Sequence, residues 1–535
     1  TLNATRYVAI NCAFTTGGTV SEIQNNTIGG FALLTSSPAN TTNGIWCGIN
    51  VISGNANIGT TTGNTIGSTS GVSSVYTACS ATGGTAVGIY STSVNTISIQ
   101  NNNIGGIDAV GTSATLTGGF TGIDVAGAAG VFSITNNNIG NTAVDNIRTG
   151  YTLLSGNLSN AGVLTSSTGA TSAIMGIRNS STGATLTITG NTIRGIATSG
   201  TVTAVTGILN SGAITTTITI NGNFLGTASL DWIRYAVATS GALIGISNTG
   251  GGSSSALSIQ TNAIRGITYA LAGTNSNTYL TNSATTLSQN ISSNTFANLT
   301  INSTGSVTFI TNTSAVPAAG TQTINSNSIV TAFNKTSAGG TVSLYVSNAS
   351  SATGALITQT GNNFSNITVT GATTIAGWSN TDGGTPTKNI SSNTFNAWTG
   401  GTSTVTGMNL NFNGGTTTFN LNTITNITGQ GAITGMAIGS SGAATSVTAN
   451  GNTITNLTSS GTGGTVTGIS SASPATAVNI SNNIINTLTT TAATVVGITS
   501  SGATTNIFQN QIYTLSTTNS SGVANGITNS GGTTV

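Results

Sequence analysis

Histidine is absent from this chain and charge is nearly so: 535 residues carry eight bases and six acids, 3% in all, where a soluble domain holds about a quarter. The acids are Glu22, Asp108, Asp124, Asp145, Asp231 and Asp382. Without histidine there is no imidazole to activate a nucleophile and no His-containing metal cluster. Five aspartates are too few for the calcium-stabilised solenoids, which repeat Asp in their Gly-rich turns. The paired carboxylates of a polysaccharide hydrolase, or acids that hold calcium beside a catalytic Arg, cannot be picked out either. No enzyme, no metal and no cofactor is therefore expected. A net charge of +2 with scattered arginines makes no basic stripe, which argues against nucleic acid as a partner. No stretch approaches the roughly 20 apolar residues of a spanning helix, so membrane insertion is not expected.

Proline is scarce too, at four residues, and with regularly spaced Ile this argues against a disordered linker despite the abundant Gly, Ser and Thr. The three cysteines, Cys12, Cys47 and Cys79, all fall in the first three coils. They leave open a bridge plus a free thiol, pairing to another chain, or small buried side chains. The chain begins at Thr1 without Met or a signal segment and reads as a mature or excised portion of something larger. An extracellular setting is inferred from composition.

What is present is a repeat. A block ending in Asn-x-Ile recurs 15 times, with its Asn at 26, 64, 102, 137, 191, 223, 262, 294, 327, 362, 393, 422, 452, 483 and 510. Ile usually stands three residues before the Asn, with Ser, Thr or Asn four and six before, the alternation of a strand with one buried face. After the Asn the parity changes, and residues two and five later are apolar, as in Ile264 and Ile267. The Asn therefore sits at a bend between two strands. A second column, Gly-Ile or Gly-Met, recurs at 48/49, 88/89, 122/123, 176/177, 207/208, 245/246, 407/408, 435/436, 468/469, 497/498 and 526/527. From this Gly to the next Asn the distance holds at 13 to 17 residues, whereas from Asn to the following Gly it ranges from 13 to 39, which confines insertions to one side of each coil. Gly before the buried Ile implies a sharp corner or a close backbone approach.

Three short strands per turn, with bends at fixed places, predict an all-β fold: a parallel β-helix of about 15 coils, one β-solenoid domain over 1–535. Residues 1–18 form a divergent edge, the longer insertions lie within 26–250, and the most regular coils are 387–535. At the bend the Asn side chain can adopt or support a left-handed backbone, and stacked amides can bond from coil to coil. The arrangement resembles the Asn ladder of right-handed β-helix proteins such as pectate lyases, without their catalytic equipment. The ladder residues are Asn102, Asn137, Asn191, Asn223, Asn262, Asn294, Asn327, Asn393, Asn422, Asn452, Asn483 and Asn510.

Side chains that could recognise a ligand are few. Asp124 and Arg178 each follow a Gly-Ile and are expected as neighbours on successive coils. Asp145-Asn-Ile-Arg148 and Asp231-Trp-Ile-Arg234 share the spacing Asp-x-Ile-Arg in insertions two coils apart. They are either a recognition patch built from loops or local Asp–Arg pairs that order each insertion. Trp232, within an insertion, is the aromatic best placed for a glycan, whereas Trp378 and Trp398 occupy core columns. Rows such as Thr185/Thr187 and Thr217/Thr219 have the spacing of an ice-binding face, but Ser and Asn interrupt them.

In style, repeats such as Gly451-Asn-Thr-Ile-Thr-Asn-Leu-Thr resemble those of very large secreted surface proteins of Bacteroidetes-type bacteria, most closely from about residue 387 onward. The resemblance implies a surface protein or adhesin. The expectation is a non-enzymatic, extracellular subunit or segment of a rigid fibre. Its partner would be itself, head to tail or in a longer run of the same repeat. The competing expectation is an adhesin or glycan-binding module that uses the insertion side.

Overall fold

The computed structural model is a right-handed parallel β-helix, and every regular element among the described residues is a strand. The structure describes residues 4–37, 43–81, 84–113, 118–153, 164–166, 173–411, 414–439, 445–491, 494–502, 504–531 and 533–534, so Thr1 and Val535 lie outside it. By its contacts the chain divides into two compact units, Thr1–Thr281 with Asn298–Asn302, and Asn282–Ala297 with Ser303–Val535.

One coil of the second unit shows how the sequence makes the fold. Val405–Asn411, Thr416–Asn420 and Thr423–Gly429 are its three strands. Each pairs in parallel with the matching strand one coil on: Met408 opposite Met436, Phe419 opposite Ala449, Ile424 opposite Ile454. Alternate residues point inward, so Thr417 and Phe419 are buried while Thr416 is exposed. Two left-handed residues then break the alternation. Leu421, immediately before the ladder Asn, has φ 56° and Asn426, four after it, has φ 55°. Each shifts the parity by one, which is why the apolar positions fall three before, two after and five after the Asn. The left-handed residue of the first bend is thus the one preceding the ladder Asn, and the Asn supports the bend without adopting that conformation.

Its amide is fully committed. Asn422 donates from Nδ2 to Ile390 O at 2.9 Å in the preceding coil and to Asn452 Oδ1 at 3.0 Å in the next. Its own Oδ1 accepts from the backbone N–H of Asn393 at 3.1 Å and from Asn393 Nδ2 at 3.0 Å. The Nδ2 to Oδ1 step runs at 2.8–3.0 Å from Asn26 through Asn64, Asn102, Asn137, Asn191 and Asn223 to Asn262 in the first unit. It runs at the same 2.8–3.0 Å from Asn294 through Asn327, Asn362, Asn393, Asn422, Asn452 and Asn483 to Asn510 in the second. A buried amide left unbonded costs about 1–3 kcal/mol per group, so no apolar residue can replace it cheaply.

The Gly-Ile column marks a close approach rather than a corner. A Cβ on Gly435 would stand 2.7 Å from Gly468 O and 2.7 Å from Ile454 Cγ2; on Gly122 it would stand 2.6 Å from Gly176 O and 2.8 Å from Ile139 Cδ1. The inward glycine makes room for the Ile two residues after the ladder Asn. Where the column carries Phe309 and Leu344 instead, the second unit fills with aromatics. Phe296, Phe309, Phe333, Phe364, Trp378, Phe395 and Trp398 form a chain of rings with centroids 5.0–6.2 Å apart, and Tyr345 stacks on Trp378 at 4.4 Å. Polar tips within this core are matched: Trp378 Nε1 donates to Gln359 Oε1 at 2.8 Å, and Gln359 Nε2 to Tyr345 Oη at 3.0 Å.

Candidate functional site

Most charged residues of the first unit lie on or beside the third sheet, where the insertions lie. Ile107–Gly111 is buried at every position, on both faces of the sheet. One outward column runs Tyr76, Asp108, Arg148, Ala197, Arg234, Thr268 through six successive coils. Arg148 reaches back to the coil before it, with Nε on Asp108 Oδ1 and Nη2 on Asp108 Oδ2, both at 2.7 Å. Ser73 Oγ donates to the same carboxylate at 2.6 Å. Arg234 passes the small Ala197 and pairs with Asp145 two coils back, its Nε 3.0 Å from both carboxylate oxygens. Asp231 accepts from Thr268 Oγ1 at 2.5 Å in the following coil.

Neither Asp-x-Ile-Arg motif is therefore a local pair: the guanidinium of each bridges to another coil. The structure also brings three of the five candidates together. Asp145, Asp231 and Arg234 line a cleft of about 220 Å³ with Val144, Gly195, Ile196, Ser229 and Leu230. Arg148 is held one coil away by Asp108. Trp232 corrects the expectation placed on it. Its side chain is 0% exposed in the bend just before the strand Ile233–Tyr235, so it is no platform for a sugar. Trp378 and Trp398 are core, as their columns imply.

The remaining acids are equally engaged. Asp124 lies opposite Arg178 in register and pairs with it, while Glu22 accepts from Asn57 Nδ2 at 2.7 Å. All three cysteines are free, and burial pushes the Cys47 thiol up to about 12, which keeps it a thiol rather than a reactive thiolate. Among the described residues no group of three or more His, Cys, Asp or Glu could hold a metal ion. In the second unit, sequence reasoning missed Lys335 and the pair Asp382–Lys388, all of which are buried. Lys388 stands five residues before Asn393, the same inward parity as Ile390, so its position was open to the pattern; Asp382 follows no repeat position.

Chemically, the cleft offers one carboxylate already neutralised by a guanidinium, a second that is exposed, and flanking hydroxyls. That set suits hydrogen bonding to a hydroxyl-rich ligand of about one sugar ring. No family model matches the chain, and no curated protein or solved structure proves similar to it.

Proposed function

We propose that this chain is a subunit or segment of a non-enzymatic, extracellular fibre in which β-helical coils stack on one another. One observation carries the proposal. Each coil closes over the one before it with the same two contacts: an inward apolar row, as Ile469 opposite Ile498 with both 0% exposed, and the ladder step, as Asn452 Nδ2 to Asn483 Oδ1 at 2.9 Å. Apolar burial of that kind contributes about 1.5–3 kcal/mol per large side chain, and every coil stacked on another, within one chain or between copies, gains it again. A stack of nearly uncharged coils responds little to salt, which suits a mechanical element outside the cell. The style of the repeats supports a bacterial surface protein of the Bacteroidetes type. Electron microscopy over a concentration series tests assembly: fibres that lengthen with concentration are expected, and short particles of constant length at every concentration would overturn it. Immunogold labelling of intact producing cells tests the location.

The second proposal, an adhesin or glycan-binding module, is favoured by the cleft at Asp145, Asp231 and Arg234. A glycan array on the full chain and on Arg234→Ala separates the two, since binding that disappears with the guanidinium belongs to the cleft.

A further inference from the structure

Asp382 and Lys388 form the one ion pair among the described residues of the second unit, with side chains 1% and 0% exposed and Lys388 Nζ 3.7 Å from Asp382 Oδ2. Lys388 points inward from the strand Thr387–Ser391, between Ile357 of the coil before and Thr417 of the coil after. Such a site disfavours both charges. Burial raises the Asp382 carboxyl above its ordinary range and lowers the Lys388 ammonium to about 8, so both shifts move the proton toward the carboxyl and bring the neutral pair within reach. A neutral amine is a nucleophile, and a neutral carboxylic acid is an electrophile that its carboxylate is not.

The two carboxyl oxygens are held differently. Oδ1 accepts from Ser347 Oγ and from the backbone N–H of Ala349 at 3.0 Å, whereas Oδ2, the oxygen nearest the amine, has no hydrogen-bond partner. Two fixed donors on one oxygen are the arrangement that stabilises a tetrahedral oxyanion, and the oxygen without them is the one free to leave. We propose that Lys388 and Asp382 condense into a side-chain amide, a self-formed crosslink within one coil. The amine lone pair attacks Cγ and forms the N–C bond while charge builds on Oδ1. The Cγ–Oδ2 bond then breaks, and Oδ2 leaves with the carboxyl proton and one amine proton as a single water. Nothing is oxidised or reduced and no co-reactant is needed. Departure of water from a dry core favours the amide, which replaces two costly ionisable groups by one neutral one.

A competing reaction also releases one water. Asp382 precedes Gly383, whose backbone nitrogen could attack the same Cγ to give a succinimide; that N–H is instead committed to Ala349 O at 2.7 Å. The test is the mass of the purified full chain under denaturing conditions, followed by trypsin. The expected result is a chain one water lighter than its sequence, with no cleavage after Lys388, so that residues 336–535 remain one fragment closed by an internal loop. Lys388→Met is expected to show its full sequence mass. Ser347→Ala, which removes one donor from Oδ1, is expected to slow formation by roughly 100-fold while leaving the fold. A wild-type chain of full sequence mass would overturn the crosslink. So would a water loss accompanied by ordinary cleavage after Lys388, the mark of the succinimide.

Discussion

The two units share a ladder and differ in nearly everything outside it. In the first, ladder asparagines are 32 to 54 residues apart and eleven residues are acids or bases; in the second they are 27 to 35 apart and only Lys335, Asp382 and Lys388 are. The difference follows from coil length. A long coil covers the outer face of its third sheet, as at Ile107–Gly111, and a covered face needs polar side chains that find partners there. Asp108, Asp145, Arg148 and Arg234 meet that need across coils. Compact coils cover nothing, so Thr and Asn face solvent there and the unusual residues are turned into the core.

The comparison is most exposed to breakage at Arg148. Replacing it by Met leaves the fully buried Asp108 with Ser73 as its remaining named partner, and removing one member of a buried pair costs about 3–5 kcal/mol. Denaturant unfolding of Arg148→Met should show a large loss confined to the first unit. A loss under 1 kcal/mol would mean that the covered face tolerates a lone carboxylate, and that long coils impose no such demand.

The ladder is where the units should behave alike. Asn137→Ala and Asn422→Ala each delete an amide that donates to a backbone carbonyl of the preceding coil and to the next Asn. Each should cost about 3 kcal/mol, from several buried groups left unbonded at once. Hydrogen exchange should place the weakening within the coils on either side, because each repeat contacts only its neighbours. Unequal costs would show that one unit leans on its ladder more than the other.

These shared features were also the most legible in sequence. The Asn column, the inward Ile and the side on which insertions fall are all local spacings, and a stacked fold repeats them at every coil. Trp378 and Trp398 were legible from their columns, but the aromatic core around Phe309 was hidden because Phe309 and Leu344 replace the glycine that announces the column. The partners of Arg148 and Arg234 were hidden for a different reason: insertions of unequal length erase the count that would align Asp108 with Arg148. Trp232 was misread because it lies in a bend outside any strand, where no alternation shows that its side chain is buried.

A smaller effect separates the units by pH. Burial lowers Lys335 to about 8, against roughly 10.4 in an unfolded chain. Between those values the unfolded state binds a proton that the folded state does not, so stability rises with pH, by at most about 1.4 kcal/mol per unit for one proton. Below pH 8 the penalty is fully present, and above the unfolded value it is gone. Titrated unfolding of the second unit should show this slope, and Lys335→Met should flatten it. A slope that Lys335→Met only halves would mean that Lys388 still titrates as an amine and has not formed an amide.

The smallest change in stability should come from Arg234→Ala. Its side chain is 35% exposed and that of Asp145 is 25% exposed, so solvent screens the pair and its loss should cost under about 1 kcal/mol. Unlike Arg148, Arg234 has been placed at a cleft wall and spans two coils to reach its acid, a geometry that the fold does not need for stability. If Arg234→Ala leaves unfolding unchanged and abolishes glycan binding, the covered face of the first unit is a recognition surface built beside the ladder. If it leaves both unchanged, the arginines of the first unit serve its long coils alone, and the two units differ in construction but not in purpose.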